Sequence, residues 1–276
     1  MTTTPTTPLA TSTSRRRPRP PALRALEYWI YQYRHTWRSS VISGFLNPLL
    51  YLAAMGVGLG SLVDKHQTNH GALGGVSYVA FLAPGMLAAI AMQIGAQEST
   101  YPVLGAIKWI KGYFAMLATP LRVVDVLVGH LLWIALRISI TVVLFFGVME
   151  LFGAGHHWTA LLALPCAVLT GMAFAVPIAA YAATRDGDAA FAAVFRFVIM
   201  PMFLFSGTFF PVTQLPRGLR AIAYVTPLWH GVDLCRALSL GDASVERAAL
   251  HIAYLLLFVV VGAVCARRTF TNRLAT

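Results

Sequence analysis

Charge is what this sequence has least of. Only 11% of its 276 residues are Asp, Glu, Lys or Arg, against about 25% in a soluble domain, while 58% are hydrophobic. A mean hydropathy of +0.68 leaves too little polar surface to coat a water-soluble globule of this size. Cysteine is scarce too. Cys166, Cys235 and Cys265 form no CxxC or zinc spacing, which excludes a disulfide framework and reads as small hydrophobes. No GxxxxGK[ST] occurs, so the chain has no P-loop with which to bind ATP. HExxH and GxSxG are missing as well. His66 and His70, near Asp64, fall among Gly71, Gly74 and Gly75 and read as a solvated loop, and the adjacent His156 and His157 do not face one ion easily. No catalytic, cofactor or metal site is therefore expected on this chain.

What the sequence has is apolar length. Six stretches, at about 41–62, 78–100, 124–151, 159–181, 190–210 and 249–266, approach the roughly 20 residues a bilayer core requires. The expected fold is an all-α membrane protein with six transmembrane helices. Residues 1–22 carry Thr, Pro, Ser and Arg without apolar periodicity and read as a disordered tail. From 23 to 40, Leu26, Ile30, Tyr33 and Trp37 recur at helical spacing opposite Arg24, Glu27, Arg34 and Arg38, the pattern of a helix lying in the membrane interface. The net charge of +11 comes from basic residues that flank the apolar stretches, so it argues for orientation in a membrane and against nucleic acid. With the N-terminus inside, the cytoplasmic segments hold 14 Lys and Arg and the outer segments 5, namely Lys65, Arg217, Arg220, Arg236 and Arg247. Both termini are expected in the cytoplasm, with residues 271–276 as a short C-terminal tail.

Two segments are unusual. Residues 101–122, YPVLGAIKWIKGYFAMLATPLR, form the longest internal cytoplasmic loop, with Tyr101 and Pro102 ending the second span. Lys108, Trp109, Lys111 and Tyr113 mix charge with aromatic surface, which suits either a docking element for a cytoplasmic partner or a helix on lipid headgroups. Residues 207–240 are cut by Gly207, Pro211, Pro216, Gly218, Pro227 and Gly231 into apolar pieces too short to span. These pieces, bearing Phe209 and Trp229, suit short re-entrant or interfacial helices at the outer face, between spans five and six. Arg137 lies near the middle of the third span and calls for a buried partner or a polar cavity. Arg196 is placed to snorkel, Glu98 and Glu150 lie near span ends, and Asp186 and Asp188 beside Arg185 read as a solvated turn. Gly56, Gly58 and Gly60 permit close helix packing.

The stretches NPLLYLAAMGVGLG (47–60), GVSYVAFLAPGMLAA (75–89), ATPLRVVDVLVGHLLW (118–133) and PMFLFSGTFFPVTQLPRGLRAIAYVTPLWHGVDLCRAL (201–238) resemble ABC-2 type permeases. The resemblance is to the branch of the nodulation lipo-oligosaccharide and daunorubicin-type exporters, and it covers roughly residues 23 to 270. It implies an interfacial connecting helix, bearing Arg24, Glu27, Trp29, Arg34 and Trp37, and a coupling helix at about Ala106–Ala118 that docks a separately encoded P-loop ATPase. Lys108, Trp109, Lys111 and Tyr113 would belong to that docking element. The resemblance also implies a dimer of permeases with two ATPase copies, which carry the ATP and Mg. Outward movement of an amphipathic glycolipid or hydrophobic drug would follow, along an interface of the first and fifth spans, in a bacterial inner membrane. An ion-coupled transporter would instead call for internal repeats and midplane ionisable groups. A lipid-modifying enzyme would need clustered His, Asp or Glu near a span end.

Overall fold

The computed structural model describes residues 20–34, 46, 49–59, 76–155 and 157–275, and every regular element among them is helical. Most of the N-terminal tail, Trp37, part of the first predicted span, and the Asp64, His66, His70 and His156 positions lie outside the described residues.

Helix α1 (Pro21–Tyr33) starts behind Pro20 with Pro21 in its first turn, where the missing N–H costs nothing. Its buried residues are Ala25 and Trp29, whereas Ile30 is 44% exposed. The stripe that docks is thus rotated from the Leu26–Ile30 face that hydropathy suggests. The reason lies on the partner helix: a Cβ at Gly129 would stand 2.4 Å from Ala25 Cβ and 2.8 Å from the Ala22 oxygen. Only the alanine face of α1 fits that notch. Helix α2 is described over residues 49–59, with Ala53–Leu59 wound as a π-helix.

Helix α3 (Tyr78–Trp109) opens on Ser77, whose hydroxyl accepts from the Ala80 amide at 3.3 Å. Its first α-helical segment ends at Ser99, close to the end that Tyr101 and Pro102 suggested. At Thr100 the backbone bends, the threonine hydroxyl donates to the Ala96 and Gln97 carbonyls, and the helix runs on through a π turn at Gly105–Trp109. Pro102 falls in the first turn of the new segment, where it removes no needed donor. A short helix, α4 (Gly112–Leu117), follows a break at Lys111. Then come α5 (Val123–Leu151), α6 (Trp158–Ala182, its first turn 3-10), α7 (Ala189–Phe205), α8 (Arg217–Val225), α9 (Pro227–Leu240) and α10 (Val245–Leu274).

Four of these, α3, α5, α6 and α10, are long and apolar enough to cross a membrane. α7 has 17 residues, about 26 Å of helix, and is apolar but shorter. α3 is the centre of the bundle and packs against α5, α6 and α9. From Ala80 to Met92 it is buried and apolar on every side, as an enclosed helix must be, and its small residues let backbones touch. A Cβ on Gly95 would lie 2.5 Å from the Gly171 oxygen, and one on Gly171 would lie 2.6 Å from the Ala91 oxygen. α9 enters the same bundle. Gly231 faces Thr170 so closely that a Cβ would come within 2.3 Å of the threonine hydroxyl.

Candidate functional site

The basic end of the bundle gathers four chain segments. Lys111 adopts the left-handed backbone conformation (φ 54°), turning the chain sharply between the end of α3 and α4. That turn leaves Trp109 and Ile110 pointing outward, 58% and 61% exposed, with Lys108 and Lys111 also exposed. Tyr113, two residues on, is completely buried. Its hydroxyl makes a short hydrogen bond with His130 Nδ1, and burial raises its pKa well above the usual tyrosine value, so it stays a donor. Trp29 of α1 stacks on His130 at 4.2 Å and meets the Tyr113 ring edge-on at 6.2 Å. Phe270 of α10 closes the group 5.7 Å from Tyr113. Of the four residues predicted to form one docking element, three therefore face out and Tyr113 is the anchor behind them.

Polar contacts tie the same end together. Lys108 Nζ donates to the Asp186 carbonyl at 2.6 Å, and the Asp186 carboxylate pairs with Arg273. That pairing, through a hydrogen bond and direct charge attraction, holds the Asp186 carboxyl below its usual range. Asp186 is thus more than a solvated turn, since it links the knee after α3, the α6–α7 turn and the end of α10. Between α1 and the knee a cleft of about 410 Å³ opens, lined by Arg24, Tyr28, Met116 and Leu121. Glu27 and Arg34 are exposed on α1.

Arg137 has its partner. Its Nε lies 3.0 Å from Glu98 Oε1, and its guanidinium sits 4.4 Å over the Tyr33 ring. Glu98 lies in the last turn of the α-helix Tyr78–Ser99, near the span end where the sequence placed it. It faces Arg137 across the α3–α5 contact, which removes most of the cost of a lone buried charge.

The opposite end is organised around α8 and α9. Thr226 caps α9 by accepting from the Trp229 amide at 3.3 Å, while donating to the Ala223 carbonyl at 2.7 Å, and Pro227 occupies the first helical position. Pro211 and Pro216 precede the short 3-10 turn Val212–Gln214 and α8 in the same way. The Phe209 carbonyl accepts from the Tyr78 hydroxyl at 3.3 Å, and its ring packs on Phe203. The Trp229 ring meets Tyr224, His230 and His251 edge-on. His230 Nδ1 and His251 Nδ1 are 2.7 Å apart, and His251 Nε2 is 3.1 Å from Asp233 Oδ2. With His251 Nε2 donating to the carboxylate, His230 must donate to His251 when both rings are neutral. Tyr254 stacks on His230 at 3.9 Å.

Arg236, counted above with the outer loops, points into the protein. It donates to the Phe81 carbonyl at 3.1 Å and the Gly207 carbonyl at 2.8 Å, with its guanidinium 3.7 Å over the Phe81 ring. Removing it from the outer count leaves the basic asymmetry intact. The His230–Asp233–His251 group, Glu98 and Arg236 were not visible as sites in the sequence. Their partners come from other helices, at separations no local motif covers. Among the described residues no group of three His, Cys, Asp or Glu is placed to hold a metal.

Long apolar helices, a partly buried ion pair between two of them and a knee presenting aromatic and basic side chains define a multi-pass membrane protein. Residues 26–240 match the family model described as ABC-2 type transporter. Nodulation protein J of Rhizobium leguminosarum bv. viciae is 35% identical over 240 residues, 86% of this chain and 88% of that one. The protein of the same name from Rhizobium meliloti is 33% identical over 241 residues, 84% and 88% of the two chains. That from Bradyrhizobium diazoefficiens is 30% identical over 246 residues, 86% and 89%. The chain belongs to the ABC-2 type transporter family, in its nodulation branch, and is the membrane subunit of a transporter.

Proposed function

We propose that this chain is the six-span permease of an ATP-driven exporter in a bacterial inner membrane. It moves an amphipathic lipid-linked saccharide or a hydrophobic drug out of the cytoplasm or inner leaflet. The observation that carries this reading is the knee after α3. A left-handed Lys111 presents Lys108, Trp109 and Lys111 outward from a rigid aromatic anchor, which is what a force-bearing contact with another protein needs. The partner is a separate P-loop ATPase, two copies per complex, holding the ATP and Mg that this chain has no motif to bind. Arg24, Glu27 and Arg34 of α1, beside the cleft at the knee, would add to that contact.

The basic end then lies in the cytoplasm, with both termini, and α8 and α9 are the short re-entrant pair near the outer face. Phe197, Val198, Met200 and Leu204 leave α7 with an exposed apolar side, which supports a second permease copy there. Phe209, Pro211, Pro216, Pro227 and Trp229 would shape the outer exit.

The test is the triple variant Lys108→Ala, Trp109→Ala, Lys111→Ala. It should insert and purify like wild type, yet lose co-purification of the ATPase and ATP-dependent efflux. Efflux unchanged in that variant would remove the docking role. Efflux driven by an ion gradient without ATP would replace the reading with a coupled secondary transporter.

A further inference from the structure

The contact between α6 and α10 carries a second site. α6 and α10 run in the same direction and touch where Gly262 meets Pro177, at a point where a Cβ on the glycine would lie 2.8 Å from the proline ring. From that contact toward the basic end a cleft of about 500 Å³ is lined by Ala180, Tyr181 and Thr184 of α6 and by Val261, Cys265 and Thr269 of α10. Its size falls in the range of ligand clefts. The two threonine hydroxyls are turned back on their own helices. Thr184 donates to the Tyr181 carbonyl at 2.7 Å, and Thr269 donates to the Cys265 and Ala266 carbonyls at 3.1 and 3.2 Å. The walls therefore offer hydrocarbon rather than hydrogen bonds.

At the basic end the character changes. The Arg185 guanidinium lies 4.4 Å over the ring of Tyr181, which lines the cleft. On α10 the lining positions 257, 261, 265 and 269 define one helical face, and Arg268, three residues after Cys265, continues it. Both arginines are exposed, and among the described residues neither has a carboxylate in ion-pair distance. Asp186, next to Arg185, is engaged by Arg273 instead.

We propose that this cleft binds a phospholipid of the cytoplasmic leaflet, one acyl chain between α6 and α10 and an anionic headgroup between Arg185 and Arg268. An apolar slot ending in two unpaired cations matches the two halves of an anionic lipid, and arginine forks suit phosphate oxygens. The site rests on the exporter reading only in placing the basic end in the cytoplasm. Its occupant would hold α10 against α6 at the end where α10 also carries Phe270 and Arg273 into the knee.

Cys265 supplies the assay. It is the exposed cysteine in the cleft, whereas Cys166 and Cys235 are buried. The intact permease in mild detergent is treated with N-ethylmaleimide, and alkylation is followed by intact mass, with phosphatidylglycerol or phosphatidylcholine added. Phosphatidylglycerol should slow alkylation of Cys265 up to roughly thirtyfold more than phosphatidylcholine does, about what two surface cations provide. Arg185→Gln with Arg268→Gln should reduce the anionic lipid to the phosphatidylcholine level, and inorganic phosphate should protect nothing. Equal protection by both lipids, or selectivity surviving in the double variant, would overturn the headgroup clamp. Protection that grows with protein concentration and ignores lipid would assign the cleft to a second copy instead. A C-terminal tag found outside the cell, with Cys265 still protected, would break the orientation and leave the lipid site standing.

Discussion

The two ends of this bundle are built on opposite plans. At the basic end the charges face out and aromatic rings hold the structure from within: Trp29, Tyr113, His130 and Phe270 join α1, the knee, α5 and α10. At the other end the polar groups are inside, with Arg236 on two carbonyls and the His230–His251–Asp233 chain joining α9 to α10. An aromatic anchor tolerates small shifts, because dispersion has little directional demand. A hydrogen-bonded chain holds one geometry or breaks. The difference fits the docking role proposed for the basic end and a fixed geometry at the other.

The strongest way to break the comparison is to cut the connection between the ends. Gly171→Leu would drive a branched side chain into the α3 backbone, which lies 2.6 Å from where its Cβ would go. Overpacking of this kind costs about 1–3 kcal/mol or more, and here no side chain can yield. The expected outcome is loss of the monodisperse peak in size-exclusion chromatography.

His251→Ala comes next and sharpens the contrast. It removes the His230 partner inside the protein and leaves the 36% exposed Asp233 carboxylate to water, so about 1–2 kcal/mol should be lost. Hydrogen exchange should rise across residues 215–254 and stay unchanged around 105–130. Equal exchange at both ends would show that they are one cooperative unit.

Tyr113→Phe is milder. It removes the hydroxyl bonded to His130 but keeps the ring, so about 1 kcal/mol should be lost. Thermal denaturation in detergent would show a small drop, with the knee exchanging faster than α9.

The smallest effect concerns Asp186. Its folded-state pKa is depressed by Arg273, so the pairing contributes above the ordinary carboxylate value of about 3.9 and fades as pH falls through that region. Since Asp186 is exposed, an Asp186→Asn variant should be only slightly less stable than wild type at pH 7 and should converge with it as pH falls through that region.

Much of this was legible without coordinates. The low charge and long apolar runs announced helices α3, α5, α6 and α10. The proline spacing over 207–240 announced short helices, and α8 and α9 follow it closely because Pro216 and Pro227 sit where helices start. The knee was legible as an unusual loop from Lys108, Trp109 and Lys111. Its shape was not, since the left-handed turn falls on a lysine rather than a glycine. That α1 docks through Ala25 and Trp29 was not legible, because the notch at Gly129 selects for size, and the Leu26–Ile30 face was read only as suited to the membrane interface. Arg137 called for a partner, but nothing local in the sequence says that Glu98, in the last turn of its α-helix, faces it across the α3–α5 contact.

The sequence by itself determined the solvent, the helices and the basic asymmetry, because each depends on the composition of a contiguous stretch. Which face of each helix turns inward, which charges meet and where the aromatic and histidine clusters form were decided by tertiary structure alone. Those contacts join residues as far apart as Phe81 and Arg236, and their energies depend on close approach between backbones that only the assembled bundle brings together.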